Sequence, residues 1–166
     1  MNFEDVIKKR FACREFLDRE VEEEKISKIL EAANRAPTAK NLQPFKIYVV
    51  KSKEGIEKID KASPCRYGAP LVFLICGDKN QAFTKGDYSS YQMDSSIVLT
   101  HMMLEATNVG LANIWVEMFD ENILREEFSL SENLVPVALM PTGYSELTTS
   151  SNHDKRKSIE EIVEYI

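Results

Sequence analysis

The segment Gln92-Met93-Asp94-Ser95-Ser96-Ile97-Val98-Leu99-Thr100-His101-Met102-Met103-Leu104-Glu105-Ala106-Thr107-Asn108 decides how this chain must fold. Only Asp94 and Glu105 carry charge across it, while Ile97, Val98, Leu99, Met102, Met103, Leu104 and Ala106 spread over most of a helix circumference. A helix that is apolar nearly all round must be covered on most of its sides. In a chain of 166 residues the pattern predicts a central helix, or one packed against a second subunit. Gly110 supplies its stop. A large exposed apolar patch usually marks an interface, and two-fold symmetry is the default for such pairs, so a homodimer is expected.

Outward from this helix the pattern alternates without strict strand–helix–strand order. Phe3, Val6, Ile7 and Arg10 set a helix over Asn2–Arg10, and Ile26, Ile29, Leu30 and Ala33 set another over Glu22–Arg35, stopped by Pro37. Glu54–Ala62 and Glu121–Phe128 read as short amphipathic helices, and Ser158–Tyr165 as a last one. Lys46–Lys51, Leu71–Cys76, Ala112–Met118 and Val135–Met140 read as strands. The class is α+β, in one domain over residues 1–166.

With a net charge of −6, the chain is a poor partner for nucleic acid or an anionic membrane, since such binding rests on phosphate neutralisation by Lys and Arg. No apolar run approaches the roughly 20 residues a membrane helix needs. The N-terminus is polar and acidic, unlike a signal peptide. The three cysteines, Cys13, Cys65 and Cys76, form no C-x-x-C pair, which argues against a disulfide framework or zinc site. Free thiols fit a cytoplasmic setting. The two histidines have no carboxylate at ligand spacing, so no protein-held metal is expected.

Neither a dinucleotide-binding nor a phosphate-loop glycine fingerprint is present, and there is no nucleophile elbow. Three polar clusters stand out instead. Arg10 and Arg14, four apart at a helix end, can fork onto a phosphate or simply cap the helix. Cys13, beside Arg14, is a weak candidate for an activated thiol. Ala36-Pro37-Thr38-Ala39-Lys40-Asn41-Leu42-Gln43-Pro44-Phe45 is rich in amide and hydroxyl groups, as a binding loop or an ordinary helix-to-strand turn. Lys155-Arg156-Lys157 is a solvated face or the completion of an anion site begun by Arg10 and Arg14. Spacing alone does not bring the three together.

These motifs together resemble the nitroreductase family of flavoenzymes over nearly the whole chain. Arg10-Phe11-Ala12-Cys13-Arg14-Glu15-Phe16 occupies the family's R-R-S-x-R-x-F opening. Ala36–Phe45 matches its A-P-[ST]-x-x-N-x-Q-P-[WF] loop throughout, the most specific signal in the sequence. Asp94 with the apolar helix and Gly110-Leu111 is similar to its central helix and exit. Gly143-Tyr144 resembles its G-Y-P turn, and Arg156–Val163 its closing R-K-P-L-E-E-I-V segment. The resemblance implies a mixed or antiparallel sheet flanked by helices, with the long helix at a dimer interface. It implies FMN held at its phosphate and ribityl end by Arg10, Phe11, Ala12, Arg14 and Arg156. It places Pro37, Thr38, Ala39 and Asn41 along the flavin ring, in part from the other subunit, and Gly143 at the site's turn. Trp115, Val116 and Glu117 are implied to pass beside the reactive flavin N5, presenting a backbone N–H rather than a catalytic side chain.

Phe11 and Ala12 depart from the pattern, removing one charge and one hydroxyl from the phosphate end. Each charged hydrogen bond is worth about 1.5–3 kcal/mol, so weaker FMN binding is expected. The implied activity is transfer of reducing equivalents from NAD(P)H to a small acceptor, a nitroaromatic or quinone, by a ping-pong mechanism. The flavin carries the chemistry and the protein orients it. Two alternatives stand beside it, a flavin reductase and a flavin-binding module for storage or sensing; one fold hosts many chemistries.

Overall fold

In the computed structural model, which describes residues 1–166, strand β2 (Leu71–Asp78) is buried along its full length. Its alternating side chains feed two cores. Leu71, Phe73 and Ile75 join a cluster containing Ile26 and Ile29 of α2 (Glu23–Arg35) and Val98, Leu99 and Met102 of α4 (Tyr91–Asn108). Val72, Leu74 and Cys76 face the other way, into a cluster with Ile59 of α3 (Lys53–Ala62) and Leu124 of α5 (Glu121–Glu127). Burial on both faces explains why this strand reads as an unbroken apolar run.

The sheet is antiparallel, with strand order β1-β2-β6-β5, where β1 is Phe45–Val50, β5 Ala112–Asn113 and β6 Leu134–Gly143. A register shift between Ile75 and Cys76 sets Cys76 opposite Pro136 and Ile75 opposite Ala138. A bulge tolerates a proline, which lacks a ladder donor. The only parallel element is a bridge from Ala12 to Asn113, which lays the Arg10–Arg14 segment along the outer side of β5.

Helix ends follow local chemistry. Asn2 caps α1 (Phe3–Lys9), Ser52 caps α3 and Asp120 caps α5, each accepting a backbone N–H. At the end of α4, Gly110 takes φ +80°, with Gly110 N–H on the Thr107 carbonyl and Leu111 N–H on that of Ala106. A left-handed residue that feeds two terminal carbonyls is the expected role for glycine there. Helix α4 is buried against the sheet and α2. A stripe through Met93, Ile97, Thr100 and Leu104 stays partly or fully open, with Met93 58% exposed.

Two expected elements come out differently, and one unexpected element appears. The strand expected over Ala112–Met118 is regular only at Ala112–Asn113 and then touches β6 once more, at Val116 opposite Leu139. The helix expected over Ser158–Tyr165 is one turn, α6 (Ile159–Ile162), held by a capping box between Ser158 and Glu161. Ile159, Ile162, Val163 and Tyr165 are all exposed; with no face buried, a short helix lacks the packing that sustains it. A hairpin the periodicity did not signal, β3 (Thr84–Lys85) and β4 (Tyr88–Ser89), lies between β2 and α4. Its paired segments are too short to show alternation.

Candidate functional site

Arg10 and Arg14 flank the bridge that joins Ala12 to the β5 edge of the sheet, and Arg156 comes near Arg10. The bridge at Ala12 and the Cys13 N–H bond to the Asn113 carbonyl (3.1 Å) fix the backbone of the first two. Asn113 is itself buried, its amide donating to the Met103 carbonyl at 3.1 Å and to Thr107 Oγ1 at 3.2 Å. The strand is thereby tied to the last turns of α4. His153 brings in the third arginine: its Nε2 lies 2.6 Å from the Lys8 carbonyl, and its ring meets that of Phe11 edge-on at 6.4 Å.

The electrostatics of this cluster are unusual for an acidic chain. Arg19, Arg66 and Arg125 pair with carboxylates, whereas Arg10, Arg14, Arg156 and, on α2 away from them, Arg35 pair with none; of these, Arg10 and Arg156 lie close enough to repel. Burial, and then the neighbouring Arg156 charge, push the Arg10 pKa down from its ordinary value. Like charges brought together without a counter-ion describe a site shaped for an anion. The two departures from the family pattern are also explained. Phe11 is buried against His153 rather than facing the arginines, and Ala12 offers only backbone.

From the arginines a wall runs toward Met118. The Tyr67 hydroxyl lies beside Cys65 and Arg14; Cys65, then burial, raise its pKa, against a smaller pull from Arg14. Cys65 Sγ is 3.8 Å from Met118 Sδ, and Ser63 Oγ donates to the Met118 carbonyl at 2.6 Å. Sequence reading missed Ser63, Cys65 and Tyr67, which belong to no periodic element. Cys13 is not a reactive thiol: it is fully buried and donates to the Glu15 carbonyl. Gly143 serves packing, since a Cβ there would sit 2.9 Å from Pro70 Cδ.

The expected backbone donor is refined. Val116 N–H is already used, on the Leu139 carbonyl at 2.9 Å. Strand alternation turns the N–H groups of Trp115 and Glu117 the other way, to the open sheet edge, where they meet no acceptor of the chain. Trp115 Nε1 donates to Glu117 Oε1 at 2.8 Å and steadies that edge.

The Ala36–Phe45 loop carries the strain expected of a functional segment. Lys40, Asn41 and Gln43 adopt φ of +52°, +56° and +53°, a region that costs a non-glycine residue about 1–2 kcal/mol each. Such strain persists only where surroundings impose it. Gln43 N–H is held by Thr38 Oγ1 at 3.0 Å, Ala39 N–H by Asp94 Oδ1 at 2.8 Å, and Lys40 Nζ lies 4.5 Å from the centre of the Phe83 ring.

Within one chain this loop does not meet the rest of the site. Val116, Leu139, Leu74 and Tyr48 form one row across four strands, and the loop ends at Phe45, three residues along β1. Three inter-strand steps of about 4.8 Å and three residues of about 3.3 Å place it about 17 Å from Val116. From Ala12 the same count gives about 28 Å. The largest concavity, about 670 Å³ along α2 and Glu105, holds none of the expected site residues.

A family model described as the nitroreductase family matches residues 7–66 and 62–144. The chain is similar to an NADH dehydrogenase/NAD(P)H nitroreductase of Methanothermobacter thermautotrophicus, at 33% identity over 87% of this chain and 78% of that one. Its structure superposes on that of a nitroreductase family protein from Clostridium difficile 630 with a TM-score of 0.93 and 46% identity, covering 99% and 98% of the two chains. At 19% identity, a nitroreductase from Exiguobacterium sibiricum in complex with FMN shares the fold, with a TM-score of 0.88 over 100% and 98%.

Proposed function

The chain belongs to the nitroreductase family, and from that membership we propose that it is an FMN-dependent oxidoreductase working as a homodimer, passing reducing equivalents from NAD(P)H to a nitroaromatic or quinone. The observation that carries the reading is the approach of Arg156 to the half-buried Arg10 with no carboxylate between them. Arg10, Arg14 and Arg156 would hold the FMN phosphate, and a dianion there would offset both the burial and the Arg156 repulsion that lower the Arg10 pKa. Outward-facing N–H groups at Trp115 and Glu117 would bind the ring edge where negative charge builds up. FMN, when bound, would supply the redox chemistry between nicotinamide and acceptor, while the chain's residues hold and orient it.

Distance supports the homodimer. Pro37, Thr38, Ala39 and Asn41 border the same ring only if they come from a second copy. The open stripe of α4 and the exposed Phe3 of α1, 70% accessible, supply an apolar face for that copy. Small substrates visiting a pocket between chains need no nicotinamide fingerprint of their own, which agrees with its absence from the sequence.

The test is the visible spectrum of the purified protein, reconstituted with FMN, before and after anaerobic NADH or NADPH. The expected result is a flavin band that bleaches with the nicotinamide and recovers with a quinone or nitroaromatic. A band that neither nicotinamide bleaches would favour the binding-module reading; recovery only with free flavin would identify a flavin reductase. Failure to take up FMN at all would overturn the cofactor assignment.

A further inference from the structure

The left-handed loop Thr38–Gln43 is anchored to the body of the chain by one buried carboxyl group. Asp94, 2% exposed, stands in the first turn of α4 and makes no ion pair. Its Oδ1 accepts Ala39 N–H at 2.8 Å. Its Oδ2 accepts Ser90 Oγ–H at 2.7 Å, and Ser90 Oγ in turn accepts Phe83 N–H at 3.1 Å. Ser90 N–H closes on the Phe83 carbonyl at 2.9 Å, and the Phe83 ring lies under Lys40. The loop's other polar contacts are largely its own: Asn41 N–H to Thr38, Leu42 N–H to Ala39, Gln43 to Thr38 and Asn41. These internal bonds define a turn but not where it sits.

We propose that Asp94 is a positioning residue: through Ala39 and Ser90 it locks the loop and the 83–90 hairpin onto α4, in the conformation that presents Thr38 and Asn41 to the second subunit's cofactor. A buried carboxyl group is costly unless its oxygens are used; here Oδ1 reaches Ala39, far along the chain, and Oδ2 takes Ser90 at the head of the same helix, which in turn holds Phe83. The inference rests on the FMN reading for its consequence, but the anchoring is a property of the chain itself.

Two readouts separate the two ideas. Trypsin cleavage after the exposed Lys40 measures loop opening without any cofactor. FMN affinity and the shape of the bound flavin band measure its consequence. Asp94→Ala is expected to speed cleavage after Lys40 at least tenfold, weaken FMN binding at least tenfold and move the band toward that of free FMN. Asp94→Asn keeps an acceptor for Ala39 and offers its amide to Ser90 Oγ, so it should restore both measures to within about threefold of the parent protein. If Asp94→Ala does not fold, Ser90→Ala, which removes one link, is expected to give an intermediate change in the same direction. Cleavage and binding equal to the parent in the folded variant would overturn the proposal. If the parent protein does not bind FMN, the function fails, and the cleavage comparison still decides the anchoring.

Discussion

If each site takes its arginines from one chain and its loop from the other, two differently damaged chains must repair each other. One lesion is Arg14→Ala, which removes a charged hydrogen bond worth about 1.5–3 kcal/mol, or about 10- to 150-fold in affinity. The other is Thr38→Ala with Asn41→Ala, two neutral hydrogen bonds worth about 1 kcal/mol each, or about 30-fold together. Each homodimer would carry its lesion in both sites. In a heterodimer, the separations of about 17 and 28 Å within a chain divide the lesions unevenly. One site receives the intact arginines of one chain and the intact loop of its partner, and the other receives both lesions. The two chains would be co-expressed with different tags, purified through both, and titrated with FMN by quenching of its fluorescence. The expected curve has one equivalent per dimer at the parent affinity and a second bound too weakly to resolve. Two sites each weakened by a single lesion, with none at the parent affinity, would refute the shared-site geometry, because each chain would then hold its own flavin.

Two further outcomes test the packing. Gly143→Ala would drive a Cβ to 2.9 Å from Pro70 Cδ. Overpacking of this kind costs about 1–3 kcal/mol and should lower Tm by about 2–4 °C per kcal/mol; an unchanged melt would mean that Pro70 moves freely. Burial pushes the Cys76 thiol up to about 12, against about 8.5 in an unfolded chain. The unfolded state then loses this proton first, so stability is intact below about pH 8.5 and falls as pH rises toward 12, by up to about 1.4 kcal/mol per pH unit. Urea unfolding between pH 8 and 10.5 should show a flatter decline in Cys76→Ala than in the parent; equal slopes would contradict the burial effect.

The sequence determined the elements whose cause is local or periodic. The apolar circumference of Gln92–Asn108, the unbroken run at Leu71–Cys76 and the stops at Pro37 and Gly110 each follow from one residue pattern, and the structure bears them out. The motifs around Arg10 and Asn41 were legible as residue types able to fork onto a phosphate or to line a binding loop, and only the family resemblance tied the loop to a flavin ring. Spacing could not show that Arg156 returns to Arg10, that Val116 N–H is consumed while its neighbours' stay free, or that Phe11 turns into the core. These are consequences of strand pairing across residues far apart in the chain. Asp94 could be read as an oddity, one of two charges in an apolar helix, and Ser90 is its neighbour one helical turn back, but its partner Ala39 is brought to it only by the tertiary fold. The opposite placement of the arginines and the loop is likewise fixed by sheet order. A sequence states which groups are available; hydrogen-bonded strands decide which of them lie within a few ångströms, and here they hold the two motif sets at opposite ends of the sheet, which is why the proposed site draws on a second copy of the chain.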